Sequence, residues 1–201
     1  MPYTTQAKIL EYLGLSALPS PLTSLTNFIN AVQKYIDNYC NRKFEQESAT
    51  SKLYDGDGCG NLVIQDDILT LSKIEILDED GDVEYTLDSS DDYFLYPANE
   101  TPKKEIVINK DNAPIGIFPS GNQNIKLTGT FGNSATVPDD ISLAATMLVA
   151  GIIEDNYVNA TGDIKSEKLG EYEVTFDTSI KKNADKLKVL DILDSYRVPS
   201  I

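Results

Sequence analysis

The hydrophobic period of this chain changes twice, and no other feature limits its possible folds as much. From Leu22 onward, Leu25, Phe28, Ile29, Val32, Ile36 and Tyr39 recur every three or four residues, which puts them on one face of a helix about five turns long. Across residues 45–132 the pattern becomes a series of short β-rich runs, at 51–54, 62–64, 73–77, 83–87, 93–96, 105–108 and 125–131. The helical period returns at Val137-Pro138-Asp139-Asp140. Proline suits the first turn of a helix there, two carboxylates complement its dipole, and Ile141, Ala144, Ala145, Leu148 and Ile152 supply an apolar stripe.

The residues between the runs support this division. Asp55-Gly56-Asp57-Gly58, Asp80-Gly81-Asp82, residues 99–102 and Ser120-Gly121-Asn122 tolerate positive φ or fix a turn, so hairpins connect the runs better than crossover helices do. Before the long helix, residues 5–13 form a short one carrying Ile9, Leu10 and Leu13, stopped by Gly14 and Pro19-Ser20-Pro21. After residue 153 a loop at 159–162 precedes an alternating run at 170–176, where Tyr172, Val174 and Phe176 share a face. Residues 184–196 then read as a closing helix with Leu187, Leu190, Ile192 and Leu193 apolar. The expected fold class is α+β, a helical bundle domain interrupted by an inserted antiparallel β domain. Residues 1–45 and 134–201 make the discontinuous helical domain and 46–133 the β-rich insertion.

Charge and composition narrow the function. The 41% hydrophobic content argues against wholesale disorder. The formal charge of −15, from 32 acidic and 17 basic residues, argues against a binder of phosphate backbones, which needs lysine and arginine to displace counterions. The most apolar stretch, 143–153, is interrupted by Thr146 and Gly151 and is far short of the ~20 residues that cross a bilayer. Met1-Pro2-Tyr3-Thr4-Thr5 has no basic flank leading into an apolar leader, so synthesis and assembly in the cytoplasm are expected. Two cysteines, Cys40 and Cys59, are too few for a disulfide framework or a zinc site and are read as free thiols.

Catalytic chemistry is poorly supplied. The absence of histidine removes Ser-His-Asp and Cys-His nucleophiles and the commonest transition-metal ligand. Neither a Gly-x-x-x-x-Gly-Lys-Ser/Thr phosphate loop nor a Gly-x-Gly-x-x-Gly turn occurs. Asp55, Asp57, Gly60 and Asp66 match part of a calcium loop, but Cys59 stands where an oxygen ligand belongs and Asp66 replaces the bidentate Glu. The cluster Asp78-Glu79-Asp80-Gly81-Asp82 is a solvated turn on the same reasoning. No catalytic residue, metal or cofactor is assigned. A hydrolase working with two carboxylates is one competing reading, and a calcium- or ligand-binding β module on a helical scaffold is another.

Three stretches together resemble the head-tail connector, or adaptor, family of tailed bacteriophages. They are the helix of 31–44 running into Tyr39-Cys40-Asn41-Arg42-Lys43-Phe44; Tyr54-Asp55-Gly56-Asp57-Gly58 followed by Leu62-Val63-Ile64; and the last third, where Val137-Pro138 leads into an alanine-rich helix and Ser166-Glu167-Lys168-Leu169-Gly170 precedes the closing one. Residues 78–122 depart from the smaller, mainly helical members. The resemblance implies a non-enzymatic virion protein: a homo-oligomeric ring, typically of twelve copies, at the neck between head and tail. It would be docked on the portal protein and would offer a surface to a tail or stopper protein. Double-stranded DNA would pass through its lumen without specific binding, and no membrane is involved. It also implies a portal-docking segment near the last helix, which places that role on Tyr196, Arg197, Val198, Pro199, Ser200 and Ile201.

Overall fold

The computed structural model describes residues 2–20, 22, 25–88, 91–155, 184 and 188–198. They fall into two compact units, one drawn from Met1–Arg42 and Val137–Ile201, the other Lys43–Thr136.

The second unit is a six-stranded antiparallel sheet: β1 (Thr50–Gly56), β2 (Asn61–Leu77), β3 (Val83–Leu87), β4 (Tyr93–Tyr96), β5 (Lys103–Ile108) and β6 (Gly121–Phe131). The strand order is β1-β6-β2-β5-β4, with β3 beside β2. Strand β6 follows one side of β2 from Ile68 to Ile76. The other side is shared, by β5 from Asn61 to Ile68 and by β3 from Ile74 to Leu77. Alternation along β2 sends Leu62, Ile64, Ile68, Leu71, Ile74 and Ile76 inward, where they meet Leu87, Tyr93, Ile106, Ile108, Phe118, Ile125, Leu127 and Phe131 in one buried cluster.

Alternation breaks at Asp66-Asp67, where the register against β5 slips between Val63 and Ile68. The slip buries the Asp67 side chain, which Lys104 of β5 neutralises, while the Asp67 carbonyl accepts from Gly132 N at 2.8 Å. Asp66 turns the other way and accepts from Tyr54 Oη at 2.7 Å and Lys52 Nζ at 3.2 Å. Farther along, Glu75 lies opposite Lys126 of β6 and is clasped by Lys73 and by Lys126 at 3.1 Å. Hydrogen bonds from the two lysines hold its carboxyl below the usual carboxylate range.

Glycine is required at one crossing of this sheet. A Cβ on Gly129 of β6 would lie 2.1 Å from the Thr70 carbonyl oxygen of β2, an atom that cannot turn away.

The first unit holds α1 (Gln6–Leu13), α2 (Thr26–Cys40), α3 (Asp139–Ile153) and α4 (Val189–Asp194). Thr5 caps α1 by accepting from Lys8 N, and Gly14, at φ +66°, closes it. Helix α2 buries Phe28, Val32, Ile36 and Cys40 at steps of four, and Asn41 ends it at φ +52°. Helix α3 is buried almost all round, which makes it the central element; α1, α2 and α4 each pack on it, and Ala144, Ala145, Ala150 and Gly151 permit close approach. One buried polar link joins the start of the chain to it. Thr146 Oγ1 donates to Ser142 O at 2.7 Å, so in the 2.7 Å contact with Thr4 Oγ1 the Thr4 hydroxyl is the donor.

The expected architecture, a helical bundle interrupted by an inserted β domain, is corrected by these elements. The sheet is the main body of the fold, and the described helices are few and short, at 8, 15, 15 and 6 residues. The strand runs at 62–64 and 73–77 are parts of one 17-residue strand, the longest element described. The residues between them continue the strand through a bulge, where Lys104 neutralises the buried Asp67. Ser120-Gly121-Asn122 is likewise less a separator than the start of β6. The closing helix expected at 184–196 is described as α4 over Val189–Asp194, and the run at 170–176 lies outside the described residues.

Two outcomes are expected. Gly129→Ala destabilises the protein by about 1–3 kcal/mol through overpacking, measured by denaturant unfolding; an unchanged midpoint would refute the tight crossing. Because Glu75 has a lowered pKa, its contribution is present above the ordinary value of 4.5 and fades as pH falls through the depressed one. Wild-type stability therefore drops on acidification, and Glu75→Gln is less stable at neutral pH with a shallower acid dependence. Equal slopes in the two proteins would contradict this.

Candidate functional site

The tail segment singled out from sequence is described as far as Val198, and all three of its described residues are seated on the helices of their own unit. Val198 N donates to Cys40 O at 2.9 Å, occupying a carbonyl at the end of α2 that has no partner within the helix. The Arg197 guanidinium lies 5.4 Å from the centroid of the Tyr39 ring. Helix α2 has no basic residue in its last turn, so Arg197 brings a cation to the negative end of its dipole. Tyr196 Oη reaches both oxygens of Asp140, at 3.0 and 2.8 Å, in the first turn of α3.

Helix α4 completes the seat. Tyr39 Oη donates to Asp194 Oδ1 at 2.6 Å, and the carboxylate beside the phenol raises its pKa to about 12. Cys40 Sγ donates to Leu193 O at 3.6 Å, and burial pushes the thiol up to about 12. Burial, followed by the hydrogen bond to Asp140, likewise raises Tyr196 to about 12. Such groups stay protonated and donate hydrogen bonds at neutral pH; the arrangement suits holding a segment rather than moving protons. Pro199, Ser200 and Ile201 lie outside the described residues.

The other sequence candidates serve the fold. Asp55 Oδ1 accepts from Gln123 N at 2.6 Å and Asp57 Oδ1 from Cys59 N at 2.9 Å, so both carboxylates of the calcium-like turn face backbone donors. Asp78 Oδ1 accepts from Asp80 N and Asp82 N in the same manner. Among the described residues no three His, Cys, Asp or Glu side chains converge as a metal-ligand set. Glu47 and Glu75 are displaced below the ordinary carboxylate range by lysines, the reverse of what a general acid needs. Cys40 and Cys59 are both free, the first buried and the second exposed.

The fold has a solved counterpart. Over its whole length this chain superposes on 91% of a chain from a structure described as the neck of an empty GTA particle computed with C6 symmetry, with a TM-score of 0.52 and 11% identity. At that identity the likeness is one of fold. No family model matches the chain, and no curated protein does. No helix among the described residues is long and apolar enough to cross a membrane.

One feature of the first unit went unread in the sequence, an open groove of about 350 Å³ between α1 and α3, lined by Lys8, Glu11, Tyr12, Asp139, Ser142, Leu143 and Thr146. Lys8 Nζ donates to Ser142 Oγ across it at 2.7 Å. Its residues come from segments more than a hundred positions apart, and no local pattern announces such a pairing.

The seat at the end of α2 predicts the chemistry of the two thiols. Cys59 reacts quickly with a disulfide reagent and Cys40 slowly. Val198→Pro, which removes the N–H donated to Cys40 O, accelerates the slow phase and lowers stability by about 1 kcal/mol. A slow phase unaffected by Val198→Pro would show that the tail does not guard α2.

Proposed function

We propose that this chain is a structural component of the neck of a tailed, phage-like particle, an adaptor that assembles as a ring below the portal, joins capsid to tail and lets DNA pass. The observation that carries this reading is the full-length fold likeness to a chain of a particle neck. It agrees in kind with the resemblance found independently in the sequence. A passive role also fits the chemistry available, which is a chain without histidine whose phenols and thiol at the α2 end are locked in their protonated forms.

In this reading Tyr196–Ile201 meets the portal. Tyr196, Arg197 and Val198 present themselves from a defined seat, which lowers the entropy lost on docking. Arg197 is exposed there and available to a partner. The acidity has a mechanical use. A lumen lined by part of the −15 charge repels phosphates and leaves no counterion-release binding to trap moving DNA. The exposed Asp78, Glu79, Asp80, Asp82 and Glu84 are the densest source of that charge among the described residues.

The test is the mass of the purified protein by light scattering, alone and mixed with the portal protein from the same source. A closed ring, formed alone or once portal is added, is expected, and deletion after Ser195 abolishes portal binding. A monomer indifferent to portal would contradict the proposal.

A further inference from the structure

The two most exposed large apolar side chains among the described residues, Val63 at 67% and Phe94 at 52%, lie on one face of the sheet. Strand register sets them there. Val63 of β2 pairs with Glu105 of β5, which pairs with Tyr96 of β4; one row along, Asn61 pairs with Val107, which pairs with Phe94. The outward face of β2, β5 and β4 is thus two cross-strand rows, Val63-Glu105-Tyr96 and Asn61-Val107-Phe94. Tyr96 is itself 43% exposed, and β4 is an outer strand of the sheet with one edge free of the strand order.

The charge on this face is small and already engaged. Glu105 accepts from Asn61 Nδ2 at 2.9 Å, and Lys103 Nζ is turned to the carbonyls of Pro97 and Ala98 at 2.6 and 2.8 Å. Glu105 and Lys103 offset each other, and Asp92, just before β4, is half-buried and accepts from Asp88 N at 2.6 Å, so the face carries little free charge in a chain whose net charge is −15. That contrast points to the occupant. A basic partner would be drawn to the acidic turn at 78–82, whereas another molecule of −15 charge is repelled there and approaches most cheaply where the surface is neutral and apolar.

We infer that the β2-β5-β4 face is covered by a second copy of this chain, as one half of a head-to-tail contact; the inference rests on the ring reading above. Three strands spaced by about 4.8 Å over two rows give a few hundred Å² at most, below the roughly 800 Å² per partner of a stable pair. Such a contact fails for an isolated pair and holds when each copy is gripped by two neighbours in a closed ring. The self-association is therefore steep in protein concentration and is strengthened by salt, which screens the repulsion between copies.

The test compares wild type, Val63→Ser with Phe94→Ser, and Glu105→Gln by light scattering across protein and salt concentrations, with melting curves as the control for folding. It is run with portal present if the ring requires it. The serine pair raises the concentration needed for assembly by ~10-fold or more, the equivalent of losing about 1.4 kcal/mol at the contact. Glu105→Gln lowers it, because a negative charge facing an acidic copy is removed, and this arm decides the matter if the serine pair fails to fold. A folded serine pair that assembles like wild type overturns the inference and leaves the ring reading standing. Assembly weakened by salt and by Glu105→Gln also overturns it, in favour of a basic partner. A wild-type chain that forms no ring with or without portal overturns both.

Discussion

Strand β2 must satisfy β6 along one side and two different strands along the other, and most of the sheet unit follows from how its 17 residues do so. A flat strand of that length would offer β5 and β3 a single continuous edge. The slip at Asp66-Asp67 interrupts it instead, so that β5 pairs up to the slip and just past it, ending at Ile68, and β3 begins farther along at Ile74. Partners from three other strands or their ends engage the slip: Asp67 is neutralised by Lys104, Asp66 is held by Tyr54 and Lys52, and the Gly132 N–H reaches the Asp67 carbonyl. Lys52 also lies 4.3 Å from the centroid of the Phe131 ring, tying β1 to the end of β6. Remove these partners and a buried carboxylate remains in the middle of the longest element, which is among the costlier defects a fold can carry.

What could be read in the sequence is what depends on local period. The stripe of Leu25, Phe28, Ile29, Val32, Ile36 and Tyr39 foretells α2, of which Phe28, Val32 and Ile36 are buried, and Asp139-Asp140 marks the start of α3, with Pro138 just before the first helical residue. The shorter strands β3, β4 and β5 sit within a residue or two of their β-rich runs. What could not be read depends on residues far apart in sequence. The β-rich runs at 62–64 and 73–77 stand apart in sequence, and the pairing of Asp67 with Lys104 between them carries no local signal. Gly129 looks like a weak point in a strand until the Thr70 carbonyl is found pressing on it. The expectation of a helical bundle failed for a related reason: the period shows where helices start, but not that they would stay short around α3 while the strands joined into the larger body.

The tail illustrates the same limit at the candidate site. Its importance was suggested by likeness to a family, with no chemistry in Tyr196, Arg197 and Val198 to support it. The structure supplies chemistry of an unforeseen kind, since each residue meets a group of α2 or α3: an open carbonyl, a tyrosine ring in the last turn of a helix, a carboxylate at a helix start. Tyr196 and Val198 are half-buried and Arg197 is exposed, so the segment is positioned while part of its surface stays open. In the neck role proposed above, that combination suits a segment that a partner must find and then grip.

The most direct test of the account is cryo-electron microscopy of intact particles from the cell that encodes this chain. The account predicts neck density immediately below the portal, a ring of copies of this fold around the DNA channel, with the segment beginning at Tyr196 toward the portal and the acidic turn at 78–82 free of basic partners. A neck built without this chain, or copies of it found elsewhere in the particle, would contradict the account.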